Sequence, residues 1–417
     1  MRILLVNTFH YPRGGASIFV LRLAELLRAQ GHTVFHFAMN HPQSLPCPDT
    51  SEFWPPYIDY PELLKRGGLG SAVKVLRTSI SSREAREGMR CLLRELGPFD
   101  AVNFHNIMHH ITPSVIAPIR EANIPIFWTL HDFSLLCPNT NFIDNNSGKL
   151  CTVCLKGGLR FFNAPIKRCK KGSFTASAMA AIESWAHRLG GVHKKIDGFI
   201  SPSRFLAGKF AEAGFDKEKF AIIPNFVELP EMTHDGSIGN YALYFGRLSQ
   251  EKGVELLLAA WESMPRDAIL KVAGTGPLES KLREEFDRPN IEFLGFVEPN
   301  ELVKVVAGAR FTVAPSICWE NFPLSVQESF AMGVPVLGAN IGGIPEMVIP
   351  GETGELFAPG QVDSLAEKAL YLWNSPQNCA AMGMKARKFA EEKFHPKEYA
   401  DRLIEMLSGE VLGEEKK

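Results

Sequence analysis

Short apolar runs alternate with stretches of helical period along most of the 417 residues, and few folds admit that alternation. Arg2–Asn7 carries Ile3, Leu4, Leu5 and Val6, and a loop with Gly14 and Gly15 follows. Phe19, Leu23, Leu26 and Leu27 then recur at helical spacing, and Gly31 stands where a helix end takes a left-handed residue. Thr33–Ala38 resumes the apolar pattern. Strand, loop, helix, strand is the opening of a parallel sheet. Ala101–Phe104, Ile124–Leu130 and Gly198–Ile200 read as further buried strands. Tyr241–Phe245, Ile269–Ala273, Ile291–Leu294, Phe311–Ala314 and Pro335–Gly338 repeat the pattern, with helical stretches at Val254–Met264, Leu278–Phe286 and Glu301–Ala309 between them. The expected fold class is α/β, with a doubly wound, Rossmann-like sheet in each half.

The turn-rich stretch from Pro224 to Gly239 is the expected junction. It divides the chain into an N-terminal domain over 1–225 and a C-terminal domain over 226–395, followed by a last helix and charged tail over 396–417. Residues 41–97 and 137–172 fit the alternation poorly and read as insertions on the first domain.

Lys plus Arg number 45 and Asp plus Glu 46, so no global field favours nucleic acid, and none is expected as a partner. No apolar run is long enough to span a bilayer. The opening MRILLVN lacks the parts of a signal peptide, which points to the cytoplasm.

In an open α/β sheet, ligands bind beyond the carboxyl ends of the strands. Arg247 follows Tyr241–Phe245 there, and Lys252 closes the same loop; two cations on one loop suit a diphosphate. A solvated loop with ordinary charges has the same appearance. Glycines 274 and 276 let backbone approach a ligand, although a bare tight turn would also use them. Pro323 suits a helix start, with Glu320 before it and Glu328 inside the helix. Free amides near Asn321 to Leu324, the stretch that holds Phe322 and Pro323, would then point at an anion, flanked by two carboxylates able to accept sugar hydroxyls. Acidic residues in a first helical turn also suit the dipole alone.

Taken in order, Gly246-Arg247-Leu248, Glu251-Lys252-Gly253, Gly274-x-Gly276-Pro277, Phe293-Leu294-Gly295, the Glu320/Glu328 pair and Gly351-x-Thr353-Gly354 resemble retaining glycosyltransferases of family 4 over nearly the whole chain. The resemblance implies the GT-B fold, two facing Rossmann-like domains with a C-terminal helix that crosses back to the first. It implies that Arg247 and Lys252 neutralise the donor diphosphate, that Glu328 holds the ribose, that Glu320 contacts the hexose, and that Phe296 and Val297 hold the base. The donor is then a UDP- or GDP-type nucleotide sugar, and the acceptor a saccharide or lipid-linked saccharide of cell-surface glycan biosynthesis. No Asp-x-Asp occurs in the chain, which fits a clamp without catalytic metal. A nucleotide-sugar 2-epimerase on the same fold and a silent scaffold are the alternatives.

In the first half, Gly14 and Gly15 would bring amides to the diphosphate from the other side, although the full GxGxxG spacing is absent. His105 and His131 both follow strands and would project to the cleft edge. The resemblance puts His131 near the reacting carbon. His109 and His110 would line an acceptor pocket or cap a helix.

Cys137, Cys151, Cys154 and Cys169 lie in one segment, with a CxxC at its centre. Four thiolates suit a tetrahedral structural zinc, and free or paired thiols are the alternative. A subset of the family resembles this chain in carrying such an insertion. The basic residues of 62–95 and the run Lys167, Arg168, Lys170 and Lys171 would lie on an anionic membrane at its inner face, or form a solvated surface with local acidic partners.

Overall fold

The computed structural model describes residues 1–65, 69–144, 147–230 and 239–409. The central part of the expected junction (231–238) and the charged tail (413–417) lie outside the described residues.

The first sheet is built from β1 (Arg2–Val6), β2 (Thr33–Phe37), β3 (Ala101–Phe104), β4 (Ile126–Thr129), β7 (Gly198–Ser201) and β8 (Phe220–Ile222), in the order β2-β1-β3-β4-β7-β8. All its neighbours run parallel. Ile3–Val6 and every residue of β3 and β4 are buried, because helices cover both faces. The second sheet holds β9 (Tyr241–Phe245), β10 (Ile269–Ala273), β11 (Ile291–Gly295), β12 (Phe311–Ala314), β13 (Val336–Ala339) and β14 (Gly354–Phe357). It too is all-parallel, in the order β11-β10-β9-β12-β13-β14. The remaining strands, β5 (Ile143–Asp144) and β6 (Lys149–Leu150), form a two-residue antiparallel hairpin inside the cysteine segment.

Strand order reverses between β1 and β3 in one sheet and between β9 and β12 in the other. The crevices at these two switch points face each other across the interdomain cleft. The last helix, Pro396–Leu407, returns to the first domain. Its Tyr399, Leu403, Met406 and Leu407 pack with Ile3, Leu5, Phe19 and Leu23 in one buried cluster.

Residues 41–97 are not wholly an insertion. Helix Arg83–Leu96 buries Ala85, Met89 and Leu92 in the core of the first sheet and is one of its covering layers. Its outer face carries basic residues with local partners: Arg90 meets Glu87 at 2.8 Å and Glu121 at 3.4 Å, and Arg94 meets Glu95 at 3.1 Å. Among the described residues, no helix is long and apolar enough to cross a membrane.

Candidate active site

The loop after β9 and the loop after β12 lie on either side of the second switch point. Gly253 closes the first loop in the left-handed region (φ 68°) and abuts the Pro315 carbonyl, which leaves no room for a side chain. That close approach sets Lys252 against the second loop. Its Nζ lies 2.7 Å from Glu320 Oε1, which also accepts from Ser316 Oγ at 2.6 Å. Burial lowers the Lys252 ammonium, but Glu320 outweighs burial and holds it above the usual lysine range. The two residues expected to serve diphosphate and hexose therefore bind one another. Arg247 lines the same cleft, and its carbonyl accepts from Tyr244 Oη at 2.8 Å. Gly274, after β10, also takes positive φ (129°) and lies against the Gly246 carbonyl, so the neighbouring loops close up under Arg247.

Pro323 is the N-cap of helix Leu324–Ala331 rather than part of its first turn. No side chain caps that end, which leaves its first amides free of a side-chain acceptor. Glu328 is the fifth residue of this helix and lines the cleft. Burial pushes its carboxyl up to about 7, Arg22 pulls it down and Glu228 pushes it up.

The cleft holds about 1120 Å³ and takes its lining from both domains. Gly15, His131, Arg247, Lys252, Phe296, Val297, Glu320, Asn321, Phe322, Pro323, Leu324 and Glu328 all line it. Phe296 is 68% exposed, whereas Phe322 is largely packed into the second core. Gly14 does not line the cleft. It is the N-cap of helix Gly15–Ala29, and Gly15 is the first helical residue, not part of the loop. Gly15 comes close to Leu324 across the cleft. The Asn321 side chain donates through Nδ2 to the His131 carbonyl at 2.6 Å, which ties the domains together.

The sequence reading missed Arg13, Asn225 and Ser325, which also line the cleft. Arg13 immediately precedes the Gly14-Gly15 pair and sits 3.8 Å over the Phe9 ring. Glu346 was missed as well. It accepts from the Arg204 and Phe205 amides at 2.8 and 2.5 Å, at the start of helix Arg204–Glu212 in the other domain. His109 and His110 sit away from the cleft lining: His109 pairs with Glu183 at 2.7 Å, and His110 stacks on Tyr60.

The four clustered cysteines line one small cavity of about 10 Å³, apart from the cleft, and none of them is in a disulfide. Among the described residues, no group of three or more His, Cys, Asp and Glu side chains is arranged to hold a metal ion. The expected zinc centre is thus not assembled by these side chains as they stand.

Residues 13–230, just over half of the chain, match the model of Glycosyltransferase Family 4, and residues 237–389 match that of Glycosyl transferases group 1. The chain belongs to glycosyltransferase family 4. Among its relatives, a sulfoquinovosyl transferase of Arabidopsis thaliana is 32% identical over 36% of this chain and 30% of its own length. A GDP-mannose-dependent monoacylated alpha-(1-6)-phosphatidylinositol monomannoside mannosyltransferase of Corynebacterium glutamicum is 32% identical over 52% of this chain and 63% of its own. The chain spans less than two thirds of either relative. Sucrose-phosphate synthase from Thermosynechococcus elongatus superposes with a TM-score of 0.70 at 19% identity, covering 98% of this chain and 100% of that one. Anabaena HepE in complex with UDP superposes with a TM-score of 0.63 at 18% identity and the same coverage. These superpositions identify the fold as GT-B.

Proposed function

We propose that the protein transfers a hexose from a UDP- or GDP-type nucleotide sugar to a saccharide or lipid-linked saccharide, with retention of configuration, in glycan biosynthesis. The observation that carries this reading is the meeting of Arg247, Lys252, Glu320 and Glu328 with His131 in one interdomain cleft at two switch points. Arg247 and Lys252 bind the diphosphate, aided by the amides at the start of helix Leu324–Ala331. Glu328 accepts the ribose hydroxyls, Glu320 the hexose hydroxyls, and Phe296 and Val297 border the base. The UDP complex of HepE, on the same fold, supports a nucleotide in such a cleft.

The bond between the anomeric carbon and the diphosphate oxygen breaks, and a bond to the acceptor oxygen forms on the same face. The acceptor proton passes to the departing diphosphate. Charge accumulates on that leaving group, so the cations and helix amides supply the main stabilisation, and no catalytic metal is part of the reading. The direct test is proton NMR of the sugar released by slow donor hydrolysis. An α-configured donor should yield the α-anomer first; the β-anomer first would contradict retention, and release of an epimerised nucleotide sugar would favour a 2-epimerase.

The lining of one small cavity by Cys137, Cys151, Cys154 and Cys169 is what supports a structural zinc there, and binding it requires these side chains to rearrange from the positions they hold. One zinc per chain by elemental analysis, lost in Cys154→Ser, is the expected result; protein free of zinc but fully folded contradicts it.

A further inference from the structure

Behind His131, outside the cleft lining, lies a second imidazole. His105 follows β3 and is completely buried, and its ring is stacked 5.2 Å from that of His131 at an interplanar angle of 24°. His105 Nδ1 and His131 Nε2 are 2.9 Å apart, a hydrogen bond that needs one proton between two nitrogens. The other nitrogen of His105, Nε2, is buried and has no hydrogen-bond partner. Burial lowers the basicity of both rings, His131 to about 4, so both are neutral at physiological pH and each carries one N–H.

Two proton arrangements are possible. If His131 donated, His105 would accept at Nδ1 and carry its own proton on Nε2, leaving a buried N–H with no acceptor. If His105 donates from Nδ1, its Nε2 is a bare lone pair. Buried acceptors left without a donor occur somewhat more often in proteins than buried N–H groups left without an acceptor. The second arrangement is therefore the favoured one. His131 then accepts at Nε2 and must carry its proton on Nδ1, for which no protein acceptor exists among the described residues. His131 is half-buried and lines the cleft.

We propose that His105 is a positioning residue that fixes His131 in its Nδ1–H tautomer, making it a hydrogen-bond donor toward the sugar-bearing end of the donor substrate. Histidine 131 on its own would favour neither role, because a neutral imidazole exchanges tautomers freely in water. The inference rests on the assignment of His131 to the sugar site, but the tautomer itself is independent of that reading.

The test is long-range proton–nitrogen correlation NMR of the full chain labelled at histidine nitrogens, with His131 assigned by comparison with His131→Gln. The expected spectrum of the unsubstituted protein shows His131 as the Nδ1–H tautomer. His105→Ala should release it to a mixture or to the Nε2–H form, whereas His105→Asn, whose amide places an N–H near the former Nδ1, should restore the original pattern. Donor turnover should fall about 10- to 100-fold in His105→Ala, by analogy with the loss of a partner that orients a metal-ligating histidine, with KM for the donor little changed and turnover largely recovered in His105→Asn. An Nε2–H tautomer in the unsubstituted protein, or a His131 signal indifferent to His105→Ala in a folded variant, would overturn the proposal. Failure of the transferase reading would look different: no nucleotide sugar turned over by the unsubstituted protein, with the tautomer pattern intact.

Discussion

Lys252 and Glu320 hold each other at 2.7 Å, so part of the cleft's positive charge is already engaged by a carboxylate. Replacing Glu320 by Gln removes that competition. Glu320→Gln should bind a free nucleoside diphosphate more tightly by calorimetry, several-fold for about 1 kcal/mol, and yet turn over the sugar donor more slowly if Glu320 makes the hexose contact proposed for it. Glu328 gives a pH signature. Burial raises its carboxyl to about 7, above its unfolded value, so its ionisation costs stability in the folded protein. Thermal stability should therefore rise as pH falls through about 7 toward the ordinary carboxylate range, and Glu328→Gln should flatten that slope. Nucleotide affinity should move the opposite way, declining between about pH 8 and pH 6 as the carboxylate proposed to accept the ribose hydroxyls becomes protonated. The motif residues were legible in the sequence because strand ends and helix starts dictate where Arg247, Lys252, Glu320 and Glu328 must lie. That Lys252 and Glu320 would pair was not, since they sit 68 residues apart and meet only when two loops close around Gly253.

At the scale of elements, long buried strands were the easiest to read. β3, β9, β10 and β12 match the expected ranges because their residues are apolar and bounded by turns. β8 and β14 went unnoticed: β8 is a three-residue edge strand with every residue half-buried, and β14 begins at glycine and carries Glu355. Helix Arg83–Leu96 was taken as insertion because its basic and acidic residues outnumber the narrow buried stripe of Ala85, Met89 and Leu92. The C-terminal helix tests the packing account. Leu403 is fully buried in the cluster, shared with Ile3, Leu23 and Tyr399, that joins the chain's two ends. Leu403→Ala should cost about 2–5 kcal/mol in denaturant unfolding, the cost of truncating a buried leucine. A loss below about 1 kcal/mol would show that this helix is only loosely docked.

Across the whole molecule, the two domains are joined at the cleft by contacts between residues remote in sequence. Glu346 grips the Arg204 and Phe205 amides from a position 142 and 141 residues further along, Asn321 reaches the His131 carbonyl over 190, and Gln327 donates to the Asn225 carbonyl. No local pattern announces such bridges, so the cleft's lining was legible while its closure was not. Glu346→Ala leaves two helix-start amides without their carboxylate, and small-angle X-ray scattering should report a larger radius of gyration with donor turnover reduced. An unchanged scattering profile would make Glu346 a local cap alone. The central claim is that the interdomain cleft holds a nucleotide sugar through its C-terminal half. Thermal shift across UDP-, GDP- and ADP-sugars, repeated with Lys252→Ala and Glu328→Ala, tests it most directly. Stabilisation by one nucleotide class, lost in both variants, is the expected result; a folded protein stabilised by none of them, or variants that respond like the original, would show that the cleft does not hold a nucleotide sugar in this way.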